Sequence, residues 1–155
     1  MTILNRQAGF SYIGILMLML IASIIMAGVG MVWHIQIQRS KEQQLLYAGT
    51  AIRKAISGYY NATPGGPGEY PTTLESLLLD ERQPYIRRHL RRLYNDPMGK
   101  KQTWALIMQN KRIIGVQSQS LLKPIKVDGF PLIYESFRGA KSYQDWKFIY
   151  VPGME

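Results

Sequence analysis

The chain has 155 residues and a formal net charge of +9, with 19 Lys and Arg residues against 10 Asp and Glu residues. This length allows one globular domain at most beside a membrane span. The sequence contains no Cys, which excludes disulfides, thiolate metal sites and Cys-linked lipids. The positive charge suits anionic lipid headgroups, acidic partner surfaces or nucleic acid, without choosing among them.

An uncharged apolar run dominates the first part of the chain. Residues 7–38 contain no Asp, Glu, Lys or Arg, and 19 of the 24 residues 10–33 are Ala, Val, Ile, Leu, Met, Phe, Tyr or Trp. A bilayer core is crossed by about 20 apolar residues in a helix. A cleavable secretory signal has a shorter apolar run, and a chain of this size has little interior in which to bury such a helix. The run therefore predicts a transmembrane helix over residues 10–34.

After this run the apolar pattern becomes periodic. Apolar residues recur every three or four positions, at Leu45, Ala48, Ile52, Ala55, Ile56 and Tyr59. This spacing predicts an amphipathic continuation of the same helix over residues 35–60. The breaker cluster at 61–68, rich in Gly and Pro, ends it.

Residues 61–155 are predicted to form the soluble domain. A capping-box pattern at 72–75 predicts a short helix from Thr72, a second helical turn is expected over 86–93, and 95–99 predicts a turn. Residues 103–108 and 112–117, joined by 109–111, predict a β-hairpin. Residues 118–143 are expected to be a loop with one short strand, and 146–151 a third strand. The expected fold class is α+β, with the long N-terminal helix packed on a small antiparallel sheet.

The junction before the apolar run carries a family resemblance. Arg6-Gln7-Ala8-Gly9 followed by Phe10-Ser11-Tyr12-Ile13 resembles the prepilin class, the subunits of type IV pili and of type II secretion pseudopili. In that family a prepilin peptidase cuts after the Gly on the cytoplasmic side, and the new terminal residue is N-methylated. The resemblance implies a leader over residues 1–9, with Gly9 as its last residue and Phe10 as the first mature residue.

One position departs from the family pattern. Prepilins usually have Glu at the fifth mature position, which is Gly14 in this chain. In the family that carboxylate pairs with the terminal amine of a neighbouring subunit, because an unpaired charge in hydrocarbon is costly. Pseudopilins thought to cap the filament tip also lack it. Gly14 therefore favours a minor subunit over a bulk filament subunit.

The soluble region is similar to the G-type pseudopilin-like proteins of type II secretion, through residues 70–77, 94–99, 115–120 and 143–148 together with Trp104. The resemblance implies a type IV pilin-like fold, and a single-pass inner-membrane protein with a periplasmic C-terminal domain. A positive-inside count predicts the opposite orientation, since only Arg6 precedes the span and four basic residues follow it: Arg39, Lys41, Arg53 and Lys54. We follow the resemblance, since long C-terminal domains translocate largely regardless of charge.

Four arginines are candidate contact residues. If residues 86–93 are helical, they form two i,i+4 pairs on one face, with Arg82 nearby: Arg87, Arg88, Arg91 and Arg92. Arginines of this kind bind DNA phosphates, but no aromatic residues interleave with them for base stacking. The alternative is a solvated face that pairs with Asp80, Glu81, Asp96 or the acids of a neighbouring subunit. We favour subunit contacts over nucleic acid.

The sequence shows no metal or catalytic motif. The resemblance to G-type pseudopilins raises the possibility of calcium at the C-terminal oxygen ligands Asp128, Glu135, Gln144 and Asp145, but these lack ligand spacing. His34 and His89 are far apart and without evident partners, which speaks against a metal or acid–base role. No nucleophile motif or phosphate-binding loop is present. We predict no cofactor and no enzyme.

These features predict a minor pseudopilin or prepilin-like subunit of a type II secretion or type IV pilus assembly system. Its expected partners are other pseudopilins or pilins, the prepilin peptidase, the inner-membrane assembly platform and membrane lipid. Two alternatives stay open: a DNA-binding minor pilin of a competence system, and an unprocessed membrane-anchored adaptor that joins no filament.

Overall fold

A computed structural model describes residues 8–82 and 84–153, and within the first helix the side chains of residues 12–26 and 33–61. Helix α1 spans Ala8–Asn61, and the strands are β1 Ala105–Gln109, β2 Arg112–Gln117 and β3 Lys147–Ile149. Three short 3-10 helices span Glu75–Leu77, Leu132–Phe137 and Tyr143–Asp145. The fold class is α+β, with a long helix and a small three-stranded antiparallel sheet.

The chain divides into two compact units, one up to Arg39 and one from Ser40 onward. In the first unit, the described side chains of residues 12–26 are all exposed, and only Gly14 and Ser23 among them are not apolar or aromatic. Among the described residues, no helix combines the length and the hydropathy needed to cross a membrane.

The second unit is built on the predicted apolar face of α1. All six residues of that face are buried: Leu45, Ala48, Ile52, Ala55, Ile56 and Tyr59. They share one core cluster with Ile113 and Val116 of β2 and Phe148 of β3. Arg53 Nε also donates to the Ile149 carbonyl over 2.9 Å. The amphipathic prediction for this part of the helix is therefore confirmed, as is its end near residue 60.

The sheet has the order β1-β2-β3 and is antiparallel throughout. Gln109 pairs with Arg112, so the hairpin loop has two residues instead of the expected three. Asn110 and Lys111 have φ of 51° and 63°, and the left-handed conformation at both positions matches the twist of a two-residue hairpin. The predicted hairpin and third strand are confirmed, with β3 shorter than expected.

Of the two helical predictions between α1 and the sheet, the first is met only in part, by a 3-10 helix, and the second is wrong. Near Thr72 only one 3-10 turn forms, and its N-cap is Leu74 without a side-chain cap. The Leu77 carbonyl accepts from His89 N and Leu90 N, each over 2.9 Å, so it is not available to continue a helix. Residues 86–93 form no helix either, because Arg87 pairs with Asp80 in an isolated antiparallel bridge.

The short strand expected within 118–143 is also wrong. The described residues there are loop and the 3-10 helix Leu132–Phe137. Tyr134 and Phe137 of this helix are buried, and Phe137 stacks on Trp146 with ring centroids 5.3 Å apart. Aromatic packing therefore helps to hold this region on the core.

A close approach between α1 and β3 gives a stability prediction. A Cβ built on Gly49 would overlap the Phe148 ring. Ala raises helix propensity over Gly by about 1 kcal/mol, yet we expect Gly49→Ala to lower the free energy of unfolding by about 1–3 kcal/mol because the core is overpacked. Near-UV circular dichroism of the purified full-length protein in detergent during denaturant unfolding measures this.

The matched control is Gly66→Ala. No atom lies within 4 Å of a Cβ at Gly66, so its unfolding midpoint should stay at the wild-type value. Equal midpoints for wild type and Gly49→Ala would contradict the packing described for Phe148.

Candidate interaction surface around the arginine segment

A buried carboxylate organises the region after α1. The Asp80 side chain is fully buried. Its Oδ1 accepts from Arg82 N and Nε over 3.1 Å and 2.9 Å, and its Oδ2 accepts from Arg82 Nη2 over 2.8 Å. His89 Nε2 lies 3.0 Å from the same Oδ2. An ionised carboxylate only accepts hydrogen bonds, so Nε2 carries the proton.

The Asp80 cluster reaches the end of α1 through Arg82. Arg82 Nη2 donates to the Tyr59 carbonyl over 2.7 Å, and Nη1 donates to Thr63 Oγ1 over 2.9 Å. The guanidinium also lies 3.5 Å from the centre of the Tyr59 ring. Carbonyls of the last helical turn lack intrahelical donors, and a cation there is favoured by the helix dipole. Arg82 therefore caps the helix that carries the core.

The ionisation of Asp80 follows from these contacts. The hydrogen bond from Arg82 is the main reason why the pKa of Asp80 lies far below its usual range, and the His89 hydrogen bond acts in the same direction. Burial opposes both by raising the pKa. The same pairing raises the pKa of Arg82. The ion pair is therefore charged at all ordinary pH values.

The expectation that His89 has no partner is wrong. Besides Asp80, His89 packs edge-on against Tyr59 with ring centroids 5.6 Å apart. Its spacing from Asp80 matches no helix or strand period, so the sequence gives no signal for this contact. The role of His89 here is to hold its own segment on the core. His34 has an exposed side chain on α1.

We call residues 84–93 the arginine segment. Its backbone is fixed by hydrogen bonds from Asp80 N to the Arg87 carbonyl and from His89 N and Leu90 N to the Leu77 carbonyl, all of 2.9 Å. Leu90 is buried. The predicted contact residues are all exposed: Arg87, Arg88, Arg91 and Arg92. They do not share a helical face but form two pairs separated by the inward-facing His89 and Leu90.

The acids expected to neutralise these arginines are mostly engaged elsewhere. Asp80 is paired with Arg82 and His89, and Asp96 is fully buried. Asp96 accepts from Met98 N, Ser118 Oγ and Gln119 N over 2.9 Å, 2.8 Å and 3.1 Å. In the part of the chain that the structure describes, the ion pairs involve Arg82, His89, Arg112 and Arg138, not the four exposed arginines.

Two tyrosines lie beside the arginine segment. Tyr94 meets Tyr47 of α1 with ring centroids 5.7 Å apart at 88°, and the Arg92 guanidinium lies 5.2 Å from the centre of the Tyr94 ring. A hydrogen bond with Tyr94 raises the pKa of Tyr47, while the charges of Arg92 and Arg91 act to lower it. Sequence reasoning missed Tyr47 because it lies in a separate element.

The candidate calcium ligands are not gathered at one point. Asp128 pairs with Arg138 over 2.8 Å. Asp145 accepts from Lys141 N, Ser142 N and Ser142 Oγ over 3.1 Å, 2.9 Å and 3.1 Å. Glu135 lies in the 3-10 helix Leu132–Phe137, and Gln144 N donates to the Ser120 carbonyl over 3.0 Å. Across residues 8–82 and 84–153, no three His, Asp or Glu side chains group as metal ligands.

The predicted processing junction is only partly described. Residues 1–7 of the leader and the side chain of Phe10 lie outside the described residues, while the backbone of Gly9 and Phe10 is part of α1. Among the described atoms outside the local helix backbone, none lies within 4 Å of a Cβ built on Gly14. The described residues therefore leave room for a Cβ at this position.

No family model, curated protein or solved structure matches this chain. The prepilin resemblance therefore stays a prediction from the residues that carry it. The Asp80 cluster and the exposed arginine segment are findings of the structure alone.

Removing the Asp80 charge tests the cluster. In Asp80→Asn the amide NH2 faces the donors of Arg82 and His89, so we expect a loss of about 3 kcal/mol in the free energy of unfolding at pH 7. Near-UV circular dichroism during denaturant unfolding measures it. The control is Asp128→Asn, whose exposed pair with Arg138 should leave the unfolding midpoint unchanged.

The pH dependence has a defined sign. Because the folded pKa of Asp80 lies below that of the unfolded chain, the stabilisation is complete above the unfolded value of about 3.9 and is lost as the pH falls through the folded value. Wild-type stability should therefore drop below about pH 4, and Asp80→Asn should show a flatter profile. Parallel profiles for the two proteins would contradict the role of this carboxylate.

Proposed function

We propose that this protein is a minor prepilin-like subunit of a type II secretion or type IV pilus assembly system. The single observation that carries the proposal is that one helix, Ala8–Asn61, contains an uncharged apolar run in its first part and the core-forming face of an α+β domain in its second. The resemblance implies a type IV pilin-like fold with one long helix of this kind, and the helix therefore supports the proposal.

The apolar run supports membrane storage followed by helix packing. The side chains of residues 12–26 are exposed, and most are Ile, Leu or Met. Each Å² of apolar surface left in water costs about 25 cal/mol, so this surface requires lipid or other helices to cover it. Lipid tails are about as apolar as Leu, so moving from lipid into a helix bundle changes the hydrophobic term little. We infer that an external motor drives assembly.

The small domain supplies contacts in this proposal, not catalysis. Its buried polar side chains are engaged in structural hydrogen bonds, as Asp80 and Asp96 show. Its exposed arginine segment offers a charged surface to a partner. The inferred partners are other pseudopilins or pilins, the peptidase, the assembly platform in the inner membrane and lipid.

Two competing functions make different predictions. The exposed arginines favour a DNA-binding minor pilin as the second candidate, because guanidinium groups contact phosphates and bind in a salt-dependent way. An unprocessed membrane-anchored adaptor would keep its N-terminus beginning at Met1. The processing experiment below separates the adaptor from the proposal.

Processing at the junction is the direct test. In cells with a prepilin peptidase, the intact mass should correspond to a chain that begins at Phe10 and carries one added methyl group, while cells without the peptidase should retain residues 1–9. Gly9→Val should block cleavage, and Ala8→Val should not. Residues 1–9 still attached in peptidase-competent cells would overturn the proposal.

Gly14 tests the minor-subunit assignment. We expect Gly14→Glu to increase the amount of the protein in sheared filaments, because the new carboxylate gains an amine partner in a neighbouring subunit. The uncharged variant Gly14→Gln is the matched control and should not show the increase. If Gly14→Glu enters filaments as wild type does, the tip assignment fails while the processing result stands.

A further inference from the structure

The arginine segment and α1 meet at a compact surface of two tyrosines and two arginines. Tyr47 lies in α1, Arg91 and Arg92 lie near the end of the arginine segment, and Tyr94 follows that segment. We call these four residues the Tyr–Arg surface. The Tyr47 side chain is 66% exposed, and both arginines are exposed. None of the four residues belongs to the buried core cluster, and the partly buried Tyr94 packs against it.

This surface is held in place from both ends. Upstream, Leu90 is buried and its N–H donates to the Leu77 carbonyl. Downstream, Trp104 Nε1 donates to the Tyr94 carbonyl over 2.8 Å, and the next turn is fixed by buried Asp96. A surface whose backbone is already ordered loses little entropy when it binds.

Among the described residues, no acidic side chain forms an ion pair with Arg91 or Arg92. Within the same part of the chain, three acidic side chains, Glu42, Asp80 and Asp96, are buried, while Arg53 is the one buried Lys or Arg. The exposed part of the domain is therefore more basic than the composition suggests. Two neighbouring guanidinium groups without ion pairs attract carboxylates, with which Arg forms paired, charge-assisted hydrogen bonds.

The aromatic geometry distinguishes between protein and nucleic-acid partners. Single-stranded nucleic acid binds by stacking successive bases on open aromatic faces. Here the two rings stand at 88° to each other, and Arg92 lies over the Tyr94 ring, so they form no parallel stacking platform. Tyr and Arg together are the residue types enriched at the centres of protein–protein interfaces.

A second copy of this chain fits the surface poorly. Each copy carries a net charge of +9, and two of its acids, Asp80 and Asp96, are buried in its own fold. Like-charged surfaces repel, which selects against self-association and favours a partner of opposite charge.

We propose that the Tyr–Arg surface, Tyr47, Arg91, Arg92 and Tyr94, binds an acidic segment of a different protein. Carboxylates of the segment pair with Arg91 and Arg92, and its apolar or aromatic side chains pack on Tyr47. This inference is independent of cleavage at Gly9, so failure of either leaves the other standing.

A direct binding measurement tests the chemistry. The probes are a fluorescein-labelled oligoglutamate peptide with one central Phe and a labelled oligothymidylate of equal charge, titrated with the full-length protein in nonionic detergent and followed by anisotropy. We expect the peptide to bind, and the double variant Arg91→Glu/Arg92→Glu to weaken it about tenfold or more. Tyr47→Ala should weaken it further than Tyr47→Phe.

The control is Lys100→Glu/Lys101→Glu, an exposed basic pair with the same change in net charge. It should weaken peptide binding much less than the arginine variant. Equal losses for both pairs would reduce the effect to net charge and overturn the proposal, as would absence of peptide binding. Tighter binding of oligothymidylate that is lost in the arginine variant would identify a nucleic-acid surface instead and also overturn it.

Crosslinking in cells tests the identity of the partner. A photoreactive benzoylphenylalanine replaces Tyr47, and the adducts are sequenced. We expect a different protein whose crosslinked peptide contains Asp or Glu, with loss of the adduct in Arg91→Glu/Arg92→Glu and retention in Lys100→Glu/Lys101→Glu. Adducts formed only with other copies of this chain, or adducts that persist in the arginine variant, would overturn the proposal.

Discussion

The hydrogen bonds of the Asp80 carboxylate connect three separate parts of the domain. Through Arg82 they reach the last turn of α1 and the loop that follows it, and through His89 they reach the arginine segment. A buried charge is tolerated only when it is paired and fully hydrogen-bonded. The hydrogen bonds that satisfy Asp80 therefore also hold the arginine segment against the end of α1.

Two other buried carboxylates, Glu42 and Asp96, also hold loops of the domain in place through hydrogen bonds. Glu42 of α1 accepts from Ile125 N and Lys126 N over 2.9 Å and 3.1 Å, and from the Tyr143 hydroxyl over 2.7 Å. Asp96 joins its own turn to the residues that follow β2. The three strands of the described domain are short, so few of its backbone N–H groups are paired within the sheet. The buried carboxylates accept hydrogen bonds from N–H groups of the loops instead.

This use of acids also shapes the surface. A buried carboxylate that is hydrogen-bonded within the fold does not neutralise an exposed cation. The surface of the domain is therefore more positively charged than its composition suggests. A domain with this surface suits an acidic protein partner or anionic lipid better than a copy of itself. In the mixed filament that we propose, such charge complementarity would select the neighbouring subunit.

The sequence by itself determined the elements whose signal is local. The end of α1, its six-residue apolar face, the presence of a β-hairpin and the third strand follow from periodicity and turn chemistry. Tertiary structure decided the rest. Whether residues 72–79 and 86–93 become helices depends on the Leu77 carbonyl, which bonds to residues 89 and 90 instead of its own turn. The same holds for the contact of His89 with Asp80 and for the contact of Tyr47 with Tyr94. Each joins residues from different segments of the chain, and no sequence periodicity predicts such a contact.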